Sequence, residues 1–247
     1  MRLILSPAKK MREDDVISPL SLPRFLCEAE QILAALRALT PEQRRALWGC
    51  SEAIAEENER RLSRMDLRGR LSPAILSYDG IQYQYMAPSI FEDRMLEWVQ
   101  AHVRILSGLY GALCPMDGVT PYRLEMQARA RVGGAKDLYA FWGDRLYEAV
   151  LPEDRTILNL ASAEYSKAIE RHLRPGDRFV TCVFGALSPS GRVVQKGVYV
   201  KMARGEMVRY LAERGASAPE EAQGFDRLDY RFSPEHSSDG QYVFLHA

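Results

Sequence analysis

TILNLASAEYSKAIERHLR, residues 156–174, decides the fold class. Its first five residues are a short apolar run of the kind that forms a buried strand. Ser162 then opens a helix in which Tyr165, Ile169 and Leu173 recur at helical spacing on one face, with Lys167, Arg171 and Arg174 on the other. A buried strand feeding an amphipathic helix excludes an all-helical bundle and an all-strand sandwich.

Working outward, residues 178–184 and 192–200 are expected as two strands joined by a turn at Ser188-Pro189-Ser190-Gly191. A helix follows over 202–214. Lys201 and Arg204 take one side of it, and Ala203, Met207 and Tyr210 the other. Residues 228–232 and 241–246 read as a terminal hairpin. Toward the N-terminus, 138–150 and 88–101 read as helices, and 103–106 suits either state. Residues 113–134 form a long ordered loop, a feature that is usually functional in compact domains. Residues 74–77 suit a short strand, with Tyr78-Asp79-Gly80 as its turn. Helices are expected over 24–39, over 41–48 with Thr40 as cap and Pro41 at the first position, and over 51–64 with Ser51 as cap. Residues 2–6 are a first strand, ended by Pro7. Strands and helices alternate without a strict βαβ rhythm, so the expectation is one mixed α+β domain over residues 1–247.

The 247 residues carry 33 basic and 33 acidic side chains, with 47% hydrophobic and 27% charged residues. That is the balance of an ordinary globular protein, and it excludes long-range disorder and rod-like repeats. The charge is uneven along the chain. Residues 1–100 carry a net −1, residues 101–215 a net +5 and residues 216–247 a net −4. Arg192, Lys196, Lys201, Arg204 and Arg209 fall in one short stretch against a single carboxylate, Glu206. A local basic cleft on a neutral protein attracts phosphate. No apolar run approaches the roughly 18 residues of a spanning helix, and the N-terminal segment is charged too early for a signal peptide. The expectation is a cytoplasmic protein with no membrane partner. Cys27, Cys50, Cys114 and Cys182 form no CxxC pair and read as reduced thiols.

Phosphate-loop, dinucleotide, zinc-protease and nucleophile-elbow motifs are absent. His102, His172, His236 and His246 lack metal-ligand spacing, so neither a metal nor a cofactor is expected. Gly49-Cys50-Ser51 lies between two predicted helices. It partly matches the glycine–apolar–glycine turn of a helix-hairpin-helix, whose backbone N–H groups bind phosphate; on these residues alone an ordinary helical hairpin packing on the core is the favoured reading. Ser107-Gly108-Leu109-Tyr110-Gly111 repeats the pattern, either as a second phosphate turn or for close packing. A third set comprises Tyr122, Arg123 and Glu125 in the long loop, with Asn159, Ser162, Glu164, Tyr165 and Lys167 after the buried strand. Side chains at strand ends are rigidly presented, which suits function. With Ser6 they make a candidate pocket.

Several strings, taken together and in order, resemble the YaaA peroxide-stress family along essentially the whole chain. They are LILSPAKK at 3–10, SYDGIQYQ at 77–84, ILSGLYG at 105–111, PYRLEM at 121–126, KDLYAFWGD at 136–144, ILNLASAEYSKAI at 157–169, KGVYVKMARGEM at 196–207 and VF near the C-terminus. The resemblance implies a cytosolic protein induced by hydrogen peroxide, which limits unincorporated iron and hence oxidative DNA damage. It implies a DNA-binding YaaA-type fold of unusual topology, with a helix-hairpin-helix and a positively charged cleft, and brings no established reaction. Carried over by position, the hairpin element falls on 41–64, centred on Gly49, Cys50 and Ser51. The cleft would draw on Lys9, Lys10, Arg123, Lys136, Lys167, Lys196, Lys201 and Arg204. DNA, duplex or structured, is the expected partner, bound by a monomer. The alternative is an enzyme acting on a nucleotide or damaged base in the Tyr/Arg/Glu/Lys pocket. One departure stands out: many relatives have Arg where this chain has Cys114, in Leu113-Cys114-Pro115. Nearby cations are expected to lower the pKa of that thiol.

Overall fold

The computed structural model describes residues 1–14 and 16–246. Its centre is a sheet of β1 (Arg2–Leu5), β2 (Val103–Ser107), β3 (Gly111–Leu113), β4 (Thr156–Asn159), β5 (Arg178–Leu187), β6 (Val193–Val194), β7 (Tyr230–Phe232) and β8 (Gln241–His246). The spatial order is β7-β8-β5-β4-β1-β2-β3, with β6 paired to β5. The five inner strands, from β8 to β2, run parallel. The antiparallel partners are the two outer strands, β7 and β3, and the short β6, which pairs with the end of β5. Inner parallel strands are covered on both faces and so read as continuous apolar runs. Leu3, Ile4, Leu5, Ile105, Leu106, Ile157 and Leu158 are all fully buried here.

The helices are α1 (Leu26–Ala38), α2 (Pro41–Trp48), α3 (Glu52–Arg64), α4 (Ile81–Met86), α5 (Asp93–His102), α6 (Leu138–Trp142), α7 (Arg145–Val150), α8 (Ala163–Glu170) and α9 (Gly197–Arg214). Thr40 caps α2 through a reciprocal box with Gln43, as Thr-Pro predicts. Helix α9 packs on α4, α5 and β5. A Cβ added at Gly205 of α9 would lie 2.0 Å from the Gln82 carbonyl and 2.9 Å from the Met86 nitrogen of α4. The two helices therefore meet backbone to backbone at that residue.

The mixed helix-and-strand class holds, and the terminal hairpin forms as β7 and β8. The sheet is mostly parallel, because β1, β4, β5 and β8 pair across long connections that local pattern cannot register. Four expectations are corrected. Residues 192–200 are not a strand: only Val193–Val194 is extended, and α9 begins at Gly197, its buried face packing on α4. Residues 74–77 form a helical turn, Ala74–Ser77, and the extended pair is Tyr78–Asp79 against Lys10–Met11. The helix at 138–150 breaks at Gly143, which adopts a positive φ. The helix at 88–101 is a short 3-10 turn, Pro88–Ile90, followed by α5.

Candidate functional site

β1 is flanked by β2 on one side and β4 on the other. The chain leaves β1 toward β2 and later returns on the opposite side, so the connections diverge between β1 and β4. In open parallel sheets the crevice at the carboxyl ends of such a strand pair is where ligands bind. Here Ile4 pairs with Asn159, and Leu160 N donates to Ile4 O at 3.0 Å. Ser6 and Ser162 therefore emerge side by side. Ser162 N donates to Ser6 Oγ at 2.8 Å, and the two hydroxyls lie 3.1 Å apart. Ser162 is the N-cap of α8, yet its side chain caps no helix N–H.

A cavity of about 450 Å³ opens at this point. Ser6, Lys9, Lys10, Tyr122, Arg123, Glu125, Ser162, Glu164, Tyr165, Lys201 and Arg204, all named from sequence, line it together. Three segments converge: the loop after β1, the 121–126 loop and the start of α8. The Gly205 contact sets α9 over them. Five cations face three carboxylates, Asp79, Glu125 and Glu164, which leaves a positive field.

The carboxylates are unequal. Glu125 sits between Lys9 at 2.8 Å and Arg123 at 3.5 Å, so it serves as an internal counter-ion. Glu164 accepts from Gln127 N at 3.2 Å, but burial still holds its carboxyl above the usual range. Among the described residues Arg204 pairs with no carboxylate, and burial pulls its guanidinium down to about 10. Its Nε, like the Nε of Arg123, is buried without a hydrogen-bond partner. The floor is a hydroxyl network: Tyr122 OH lies 2.6 Å from Ser107 Oγ and 2.9 Å from Tyr78 OH, and Tyr83 OH donates to Ser6 O at 2.9 Å. Burial pushes the Tyr122 phenol up to about 12.

Other predicted residues lie elsewhere. Asn159 is buried behind the cavity, where it accepts from Ala161 N and donates to Thr181. Lys136 and Lys196 are exposed outside the lining, and Lys167 lies over the Tyr139 ring. Gly49, Cys50 and Ser51 join α2 to α3, with Gly49 in the left-handed region. The Ser51 side chain makes no cap bond. Arg209 pairs with Glu213, and Glu206 with Arg227, so the basic stretch at 192–209 forms no single face. At Ser107–Gly111 the N–H groups of Leu109 and Tyr110 already donate to Ser107 Oγ. That turn is buried and serves packing. Cys114 is half-buried, and desolvation raises its pKa despite Arg104, Arg2 and Arg24, which corrects the expectation of an activated thiol.

Sequence reasoning missed two features. Gln82 and Tyr83 line the cavity from α4, inside the SYDGIQYQ string, but a glutamine carries no signal of its own. A second cavity, also about 450 Å³, is lined by Arg12, Arg60, Arg61 and Arg64 among others. The strap at residues 9–12 connects the two. No group of three or more His, Cys, Asp or Glu is placed to hold a metal among the described residues. Nor is any helix there long and apolar enough to cross a membrane.

A profile of the family described as peroxide stress protein YaaA matches residues 1–236. The chain belongs to that family. Curated relatives, each called a UPF0246 protein, agree along nearly the full length. The one from Agathobacter rectalis is 51% identical over 245 residues, covering 99% of this chain and 98% of its own. That from Desulfitobacterium hafniense is 50% identical over 248 residues, covering 100% and 98%. That from Lactiplantibacillus plantarum is 47% identical over 247 residues, covering 100% and 99%. Membership of this peroxide-stress family accounts for the strings noted above, and five of them (LILSPAKK, SYDGIQYQ, PYRLEM, ILNLASAEYSKAI and KGVYVKMARGEM) meet at the cavity.

Proposed function

We propose that this member of the peroxide-stress family binds DNA through its phosphate backbone, without sequence preference, and so limits oxidative DNA damage. The observation that carries the reading is the cation excess at the switch-point cleft, extended by Arg12, Arg60, Arg61 and Arg64 across the shared strap. Phosphate neutralisation supplies most of non-specific affinity and makes it salt-dependent. The α2–α3 turn is a second contact point in this reading. It lies at the opposite end of α3 from the arginine cavity, roughly 14 Å along the axis from Arg60 and 20 Å from Arg64 at 1.5 Å per residue. Both contacts together would suit a structured DNA rather than a short single strand. Lower unincorporated iron in peroxide-stressed cells belongs to the same reading as a cell-level outcome. A cytoplasmic monomer is the form in which it would act.

The test is a fluorescence titration against duplex, single-stranded and bubble DNA at several salt concentrations. Binding should weaken steeply with salt. Lys201→Ala with Arg204→Met should weaken all three substrates alike and flatten the slope. No binding at low salt, or an unchanged slope in the double variant, sinks the cleft reading.

A second reading is an enzyme acting on a nucleotide or damaged base. It is favoured by the convergence of Ser6, Tyr122, Glu125, Ser162, Glu164 and Tyr165 in one cavity rather than on an open face. Glu164, with its raised pKa, is the candidate acid. Product analysis with nucleotides and oxidised bases tests it: turnover should appear and be lost in Glu164→Gln.

A further inference from the structure

Three residues lining the switch-point cavity each carry a buried polar atom with no partner among the described residues: Gln82 Nε2, Arg123 Nε and Arg204 Nε. Gln82 is only 7% exposed. Buried polar groups are almost always paired, so each exception calls for a reason. All three are donors, and two belong to cations. An occupant that satisfies them must bring several acceptors and negative charge.

The Ser6–Ser162 corner adds to this demand. Ser6 Oγ accepts from Ser162 N, and its own proton goes to Ser162 Oγ. Ser162 is left with a proton to give, at the N-terminus of α8, where the Ala163 and Glu164 N–H groups precede the first residues that donate to Ser162 O. Helix starts of this kind hold phosphate.

A bare phosphate would satisfy the cations and leave most of the cavity empty. Its other walls are Tyr83, Tyr122, Tyr165, Ile81 and Leu124. Flat aromatic and aliphatic walls suit a base or sugar, and about 450 Å³ lies in the range of small-ligand sites. Duplex DNA can lay its backbone across the mouth of such a space, but only a single nucleotide fits inside it.

We propose that the cavity holds a single nucleotide, its phosphate bound by Arg204 and the Ser162 end of α8, and one acceptor on its base bound by the Gln82 carboxamide. This rests on the DNA-binding reading only in placing the cavity within the cleft. The nucleotide is either free or turned out of a strand, and the chemistry of the site is the same for both.

The experiment is calorimetry on the full chain with the four deoxynucleoside 5′-monophosphates, the matching deoxynucleosides and inorganic phosphate. A parallel titration uses single-stranded oligonucleotides of each base, the same strand with one abasic residue, and duplex DNA. At least one monophosphate should bind more tightly than phosphate or its own nucleoside. Gln82→Met and Gln82→Glu should each cost about tenfold for that monophosphate, and Gln82→Met should leave phosphate affinity unchanged. Arg204→Met should weaken monophosphate and phosphate together. Melting curves matching the parent exclude misfolding of the variants. If the monophosphates fail but single strands bind with a Gln82-dependent base preference that an abasic residue removes, the nucleotide is presented by a strand and the proposal stands. If phosphate and monophosphates bind equally and neither Gln82 variant changes anything, the proposal falls. It also falls if duplex binds while no monophosphate or single strand depends on Gln82; the DNA reading survives that result. Monophosphate binding without duplex binding overturns the DNA reading alone.

Discussion

Two arginines in two regions, Arg44 buried and Arg204 half-buried, carry opposite lessons. Arg44, in the α2–α3 hairpin, grips Glu59 with two hydrogen bonds of 2.6 and 2.7 Å and donates to the carbonyls of Leu36 and Leu39 at the end of α1. Its acceptors come from its own chain. Among the described residues Arg204, over the switch-point cavity, has a buried Nε with no acceptor and pairs with no carboxylate. An ion pair closed within the protein holds helices together. A desolvated cation left open costs stability and is kept for what it binds. By that criterion Arg44 is part of what holds the hairpin together, whereas Arg204 offers a cation to whatever enters the cavity.

The harshest way to disturb the cavity leaves its side chains alone. Gly205→Ala drives a methyl group into the Gln82 carbonyl and the Met86 nitrogen. It should destabilise the fold by about 3 kcal/mol or more, since backbone cannot give way as a side chain does. Chemical denaturation measures this, and a cost below about 1 kcal/mol would mean that α4 and α9 are free to separate.

The arginine comparison itself is tested next. Arg44→Met leaves Glu59 unpaired and should cost roughly 2–3 kcal/mol, somewhat less than a fully buried pair because Glu59 is partly exposed. Arg204→Met should cost nothing or stabilise, while phosphate binding is lost. Equal destabilisation by the two would erase the contrast. Removing the α2 cap with Thr40→Ala should cost about 1 kcal/mol, with no effect on binding if the hairpin is only structural.

The smallest expected effect is a pH dependence. The Glu164 carboxyl is held above its ordinary 4.5, so the folded state keeps its proton longer than the unfolded chain does. Stability is therefore lost as pH rises from about 4.5 through the raised value. Glu164→Gln should remove this loss, gaining stability at neutral pH and little at pH 4. Affinity for an anionic ligand should fall over the same window in the parent and stay flat in the variant. A flat parent profile would remove Glu164 from the site's electrostatics.

Much of this was legible in the sequence, for local reasons. Thr40-Pro41 fixed the start of α2, and the spacing of Leu26, Ala29, Ile32, Leu33 and Leu36 fixed the buried face of α1. Strand-end placement was enough to nominate Ser6, Ser162 and Glu164. What failed was set by distant partners. Val193, Val194, Val198 and Val200 are β-branched and read as strand, but α9 starts among them because its inner face packs on α4. Parallel pairing leaves no local mark, and neither does Gln82, whose importance lies in a missing partner rather than in its type.

The order of strands also bears on how the protein is made. β1 precedes both of its neighbours in the chain and lies in the interior of the sheet, between residues 103–107 and 156–159. At roughly 5–20 residues per second, Leu3, Ile4 and Leu5 wait several seconds or more for their first neighbour and longer for their second. A greasy, unpaired segment exposed during translation is a ready target for chaperones and for other nascent chains.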